Sequence, residues 1–302
     1  MQNALTIDLE DYYQVTAFSA SRERERDHSY ISRVEQNTHR TLEILAEKGC
    51  VATFFTVGSV AEEHPRLIQL VVNAGHEIAC HSFAHQQIFN LARDQFWEDT
   101  RRAKTAIENA AGTRIFGYRA PSFSITRASA WAFEILVELG FTYDSSIFPV
   151  KHPSYGVVQS PRFPYTVETQ AGSIIEFPLP TLECMKMRAP VGGGAYLRIL
   201  PYAYTNWAIR YINKREAHPV CVYLHPWELD ADQPRMDGPL TSRLRHYMGL
   251  RGTEAKLRSL LRDFKFSTMK QLLQEYKLRD RLVCSNQEFV LNPPKDVFTR
   301  TS

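Results

Sequence analysis

Along the first ten residues Leu5, Ile7 and Leu9 alternate with Thr6, Asp8 and Glu10, a period of two that predicts a strand ending in acids. The pattern then changes. Helical spacing over Thr38 to Lys48 stops at Gly49, and the near-continuous run Val51 to Val57 follows, as expected of a strand covered on both faces. The same succession recurs down the chain. Pro65 opens a helix closed by Gly75, and Ile78 to Cys80 form a short strand. Arg93 to Ala111 reads as an amphipathic helix ended by Gly112, and Ile115 to Tyr118 as the next strand. Thr126 caps a helix that runs to Leu139, and Phe141 to Tyr143 form a further strand. Tyr202 to Lys214 is helical, Val220 to Leu224 a strand, and Glu254 to Leu261 and Met269 to Tyr276 are helices. Residues 149–201 are rich in Pro and Gly, with short β-type pieces such as Ile174 to Phe177, and read as an irregular excursion from the core. The polar stretch 279–302 reads as a C-terminal tail, leaving one domain over 1–278.

Strand then helix, repeated, argues an α/β fold with a parallel sheet, open or closed into a barrel. In such folds ligands gather at the C-terminal edge of the strands. Asp8, His81, Arg119, Asp144 and His225 each fall at the end of a predicted strand. His81 and His85 are four positions apart, a spacing at which two imidazoles converge on one ion from a helical turn or a tight loop. With one carboxylate from Glu10 or Asp11 they make a three-ligand site with an open position, the pattern of a catalytic zinc. Such an ion lowers the pKa of water from ~15.7 to about 7. Asp8 is the candidate base. Arg119 beside it would hold it charged and oriented. His225, followed by Pro226 and Trp227, is the candidate general acid, a role worth about 10² to 10⁴ in rate. Base, activated water and acid together describe hydrolysis of an amide or ester.

Composition narrows the rest. The chain has 302 residues, 44% hydrophobic and 23% charged, which excludes a disordered or fibrous protein. A net charge of +3 is too small to imply nucleic acid. The run Arg22 to Arg26 alternates in sign and reads as a solvated segment. A looser basic set (Arg243, Arg245, Arg251, Lys256, Arg258, Arg262, Lys265) reads as helix surface, with peripheral contact to an anionic membrane or to a phosphate-bearing substrate as the alternative. Five scattered cysteines without a CxxC pair read as reduced thiols. No signal peptide is visible at Met1 to Asp8, and a cytoplasmic location is expected. No window reaches the roughly 18 to 20 apolar residues of a membrane span.

Taken together these pieces resemble carbohydrate esterase family 4, the NodB-type polysaccharide deacetylases. His81-Ser82-Phe83-Ala84-His85 matches the family's paired-histidine motif, Arg119-Ala120-Pro121 its Arg-x-Pro motif, and Leu224-His225 its Leu-x-His motif. The resemblance runs over roughly Leu5 to Tyr276 and is similar in particular to the subgroup of exosortase and exopolysaccharide loci. That subgroup's further signatures are matched by Asp8 to Tyr12, Tyr143 to Pro149, Gly192 to Arg198 and His225 to Glu228. The resemblance implies a distorted (β/α) barrel of about seven parallel strands. It also implies Zn2+ or another divalent metal, and removal of acetyl from N-acetylated sugars in a glycan or a lipid-linked saccharide. It points to Pro121, Asp144, Gly194, Tyr196, Arg198 and Trp227 as substrate-binding residues. The glycines 192–194 would let a sugar approach the backbone, or would simply be a flexible turn. Two points depart from the family pattern. Asp8-Leu9-Glu10-Asp11 leaves the carboxylate ligand open between Glu10 and Asp11. The acid that tunes His225 has Asp144 and Glu176 as candidates. Rival readings are another C–N hydrolase on the same fold, and a glycan-binding domain without turnover.

Overall fold

Each strand of the main sheet sends alternate residues to opposite sides, and the two sides hold different contents. The computed structural model describes residues 1–18, 30–152, 155–185, 187–277 and 283–284. Its strands are β1 (Gln2–Leu9), β2 (Thr53–Thr56), β3 (Glu77–Cys80), β4 (Gly117–Tyr118), β5 (Tyr143–Asp144), β6 (Tyr165–Thr169), β7 (Gly172–Glu176), β8 (Thr181–Cys184), β9 (Met187–Pro190), β10 (Cys221–Leu224), β11 (Lys265–Ser267) and β12 (Val283–Cys284). The main sheet runs β10-β1-β2-β3-β4-β5-β7-β6-β12, with β11 beside β1. Every pairing from β10 to β7 is parallel, while β6 returns antiparallel to β7. Helices Val34–Glu47, Pro65–Asn73, Arg93–Ala111 and Ala132–Glu138 lie in the crossovers. This is the α/β architecture that the strand–helix alternation predicts; among the described residues no ladder joins β10 to β7.

Outward-facing Leu5, Ile7, Leu9, Phe54, Ile78, Val222 and Leu224 pack with the helices into the main core. Inward-facing Ala4, Phe55, Ala79, Tyr143, Ile175 and Cys221 make a second core. Met269, Leu272 and Leu273 of helix Met269–Lys277 close it from below. That helix is tied to the first residues of β2 and β3: Met269 N donates to Thr53 Oγ1 and Lys270 N to Glu77 Oε2. At the other end the register is level. Leu9 pairs with Thr56, Thr56 with Cys80, Cys80 with Tyr118, Tyr118 with Asp144 and Asp144 with Glu176. Glu10, His81, Arg119 and Ser145 therefore leave the sheet at one height.

Three elements differ from the sequence reading. The segment read as an excursion supplies β7 to the main sheet. Its Ile174 is buried in the outer core and its Ile175 in the inner one, so even this short strand is covered on both faces. The hairpin β8–β9 is the part of that segment that forms a separate two-stranded sheet. Thr126 does not cap a long helix. Its N–H bonds Ser129 Oγ around a short turn at Arg127–Ser129, and the helix proper is Ala132–Glu138. The alternating-charge run and, apart from β12, the C-terminal tail lie outside the described residues. Among the described residues no helix is long and apolar enough to cross a membrane.

Candidate active site

The histidine pair sits in a tight loop directly after β3. Ser82 and His85 take left-handed φ values of 63° and 54°, which non-glycine residues adopt when the surroundings impose it. Ser82 Oγ accepts the His85 N–H, and Asp99 accepts the N–H groups of Phe83 and Ala84 from the helix below. Asp99 had no signal in the sequence beyond its place on a helix. The loop brings His81 and His85 to Glu10, and one possible ligand atom from each lies within 4.8 Å of the others. All three residues are buried. His81 Nδ1 donates to the Arg119 carbonyl at 2.7 Å, leaving Nε2 as the free lone pair. Glu10 Oε2 approaches His85 Nε2 at 2.7 Å without hydrogen-bond direction and has no donor. Lone pairs converging on an unsatisfied anionic oxygen fit a divalent cation, with three protein ligands and room for a fourth. Trp227 Nε1 donates to the other oxygen of Glu10 at 3.1 Å and fixes its rotamer.

Asp11 does not join this cluster. It caps the turn that follows β1, accepting from Tyr12 N at 2.8 Å, Ser32 Oγ at 2.6 Å and Arg33 N at 3.0 Å. Strand alternation carried one step past β1 puts Glu10, not Asp11, on the side of Asp8.

Asp8 lies next to the cluster. Arg119 Nη1 donates to Asp8 Oδ1 at 2.6 Å and to Thr6 Oγ1 at 2.8 Å. The same guanidinium donates to the Ser145 carbonyl and hydroxyl, and its plane lies 4.1 Å from the Phe55 ring centroid. Arg119 is 0% exposed and stands at the top of the inner core, so Asp8 is held from a rigid partner. Opposite, His225 Nε2 faces Asp8 Oδ2 at 3.9 Å and Glu10 Oε1 at 3.5 Å. His225 stacks on Trp227, with centroids 4.9 Å apart, and Trp227 on His246 at 4.3 Å.

The acid behind His225 is neither Asp144 nor Glu176. It is Glu228, three residues on, whose Oε2 lies 3.3 Å from His225 Nδ1 and accepts the His225 N–H at 3.0 Å. Arg198 Nε donates to the other oxygen at 2.6 Å. The signal for it was a capping-box spacing, cap residue to third turn residue, around Pro226–Leu229. Burial alone would push Glu228 up, but Arg198 and His225 hold it at about 2. Burial would likewise lower His225, and Glu228 and Glu10 overcome it, raising it to about 9. Burial pushes His81 down to about 4, the neutral state a ligand needs. Glu10, which burial would raise, is held below the ordinary carboxylate range by His85 and His225.

These groups open into a cavity of about 800 Å³. Gly194, Arg198 and Trp227 line it, but Pro121, Asp144 and Tyr196 do not. Pro121 is buried and opens the turn that presents Ser122 and Phe123 to the cavity. Asp144 shares the row of outward-facing strand ends. Its carboxylate takes Ser146 N and Oγ at 3.0 and 2.7 Å and sits against Glu176. Burial, then Asp144's charge, lifts Glu176 well above the carboxylate range. Tyr196 packs edge-on to Phe148 behind the wall. The glycines answer to packing: a Cβ at Gly193 would stand 2.3 Å from the Tyr223 ring, and one at Gly194 2.8 Å from it.

Residues 27–143 match the family model of polysaccharide deacetylases, and residues 145–274 match a domain of unknown function, DUF3473. A chitooligosaccharide deacetylase of Sinorhizobium fredii is 36% identical over 73 residues, 24% of this chain and 34% of that protein. A peptidoglycan deacetylase of Helicobacter pylori is 26% identical over 108 residues, 36% of each chain. The chain thus spans about a third of the length of these relatives. A crystal structure from Mycobacterium smegmatis, named for the polysaccharide deacetylases, shares the fold with a TM-score of 0.65. It is 21% identical, and the match covers 97% of this chain and 93% of that one. The two-histidine loop thus lies in the stretch that matches the polysaccharide deacetylase model, and the parallel sheet that carries it is shared with a solved structure named for those enzymes.

Proposed function

We propose that the protein is a metal-dependent N-deacetylase that removes acetyl from N-acetylhexosamine units of a glycan or its lipid-linked precursor. The observation that carries this reading is one cavity lined by Glu10, His81, His85, Asp8 and His225. Glu10, His81 and His85 would hold the cation. A divalent ion there, zinc in most proteins of the family by resemblance, supplies Lewis acidity and water that ionises near neutral pH. Asp8, oriented by Arg119, takes the proton of the attacking water. His225, protonated at neutral pH through Glu228, gives a proton to the departing amine. Trp227 keeps Glu10 in its rotamer and offers a flat face to the cavity. Arg198 keeps Glu228 charged. Cys50, Cys80, Cys184 and Cys221 carry free thiols, which fits a reducing compartment such as the cytoplasm.

Purified protein should contain about one divalent ion per chain, and His81→Ala should lose it. Acetate release from chitooligosaccharides should stop on chelation and return on adding zinc. Full activity from metal-free protein would defeat the reading, and metal binding without acetate release would favour a glycan-binding role.

A further inference from the structure

The cavity has a second end of opposite sign. Its acidic lining residues are Asp8, Glu10 and Glu228, all buried at the reacting end. Its arginines are Arg198 and Arg245. Arg198 is satisfied inside the protein: beyond Glu228 it donates to the carbonyls of Arg245, His246 and Met248. Arg245 differs. It is exposed at the mouth, its Nη2 donates to Tyr155 Oη at 3.3 Å, and among the described residues no carboxylate pairs with it. The hydroxyls of Tyr155, Tyr223 and Tyr196 and the ring of His152 are its recorded electrostatic neighbours. A guanidinium carries five N–H donors in a fork that matches two oxygens of one oxyanion.

The surroundings hold it in place. Arg198 grips the Arg245 carbonyl at 3.2 Å, so the backbone that presents the side chain is tied to the core. Ser242, one turn earlier on the same helix, Leu240–Tyr247, also lines the cavity. Beside Arg245 stands a stacked wall: Phe148 on Tyr155 at 5.9 Å and 3°, and Tyr155 on His152 at 3.7 Å and 10°. Such a ledge suits a sugar ring, and the cation beside it suits a charged substituent on that ring or on its neighbour.

We propose that this end of the cavity binds an anionic oxygen group of the substrate through Arg245, with Ser242 and Tyr155 as additional hydroxyl partners. The inference rests on the deacetylase reading and narrows its substrate class to acidic N-acetylated saccharides. The anion is a phosphate, as in a sugar 1-phosphate linkage, or the carboxylate of a neighbouring uronic acid. Both present the same paired oxygens to the guanidinium.

Calorimetric titration of the metal-loaded protein tests this with three probes: N-acetylglucosamine 1-phosphate, a hyaluronan tetrasaccharide and chitotetraose. At least one acidic probe should bind about tenfold tighter than the neutral one, and which one does so names the source. R245Q should collapse that ratio to near one, and R245K should restore part of it. Equal binding of acidic and neutral probes would overturn the proposal. So would a preference that survives R245Q, since the anion would then sit on the metal. Failure of both acidic probes to bind would also overturn it. Arginine-dependent binding without acetate release from any probe would leave the subsite standing and remove the deacetylase reading instead.

Discussion

Four carboxylates are buried around the C-terminal edge of the sheet, and two of them are displaced in the opposite direction from the other two. Glu10 and Glu228 lie on the inner side, and both are held ionised, below the ordinary range. Asp144 and Glu176 lie on the outer side, and both are raised above the ordinary range. Burial is complete, or nearly so, in all four and by itself would push every one of them up. What differs is the partner. Glu10 faces His225, and Glu228 faces His225 and Arg198. The outer acids face each other and the hydroxyl and N–H of Ser146. Depth in the protein therefore does not decide whether a carboxylate is an anion; a neighbouring cation does.

The comparison can be broken first at its centre. Asp8→Asn should lower kcat by about 10² to 10⁴ while metal content, read by elemental analysis, stays near one. Loss of metal in this variant would reassign Asp8 to the ligand set. Glu228→Gln should be milder, costing about 10 to 100-fold as an outer partner of a reacting group. Removing Glu228 takes away the main influence that raises His225, so the alkaline fall in rate should begin at lower pH. An unmoved pH profile would show that Glu228 does not tune that histidine.

The smallest effect belongs to the outer pair. Glu176 has a raised folded-state pKa, so the folded chain binds more protons than the unfolded one between the ordinary and the raised values. Its stabilising contribution is complete below the ordinary value and declines as pH climbs through that window. Glu176→Gln keeps an acceptor for Ile147 N and should flatten this decline, with less than about 1.4 kcal/mol of change per pH unit. Thermal unfolding from about pH 5 to 8 checks the slope. A steeper slope in the variant would mean that the pair is ionised.

Much of the molecule was legible in its pattern. The alternation of Leu5, Ile7 and Leu9 with Thr6 and Asp8 gave the two faces of β1 directly. The Arg93–Ala111 helix has the predicted bounds because Gly112 ends it in a left-handed turn. Asp144 was misplaced by a single position. β5 has only two residues in the sheet, too few to reveal which side each side chain takes, and Ser145 is the one that faces Arg119. β7 was hidden by the Pro and Gly on either side of a five-residue strand. Glu228 was named only as the end of the His225 to Glu228 signature; its partnership with His225 depends on a turn, not on a strand or helix period. Strand alternation already put Glu10 on the side of Asp8, but the partners that draw Asp11 away, Ser32 and Arg33, are distant in sequence.

At position 193 the missing side chain has a consequence of its own. The space a methyl group would occupy is filled by the Tyr223 ring, which also leans on Phe123 at 5.0 Å and lies 5.8 Å from the Arg119 guanidinium. Enlarging residue 193 would shove that ring toward both neighbours at once. The gauge of the binding chamber and the seat of the base's partner are thus mechanically linked, and neither can be retuned alone from this side.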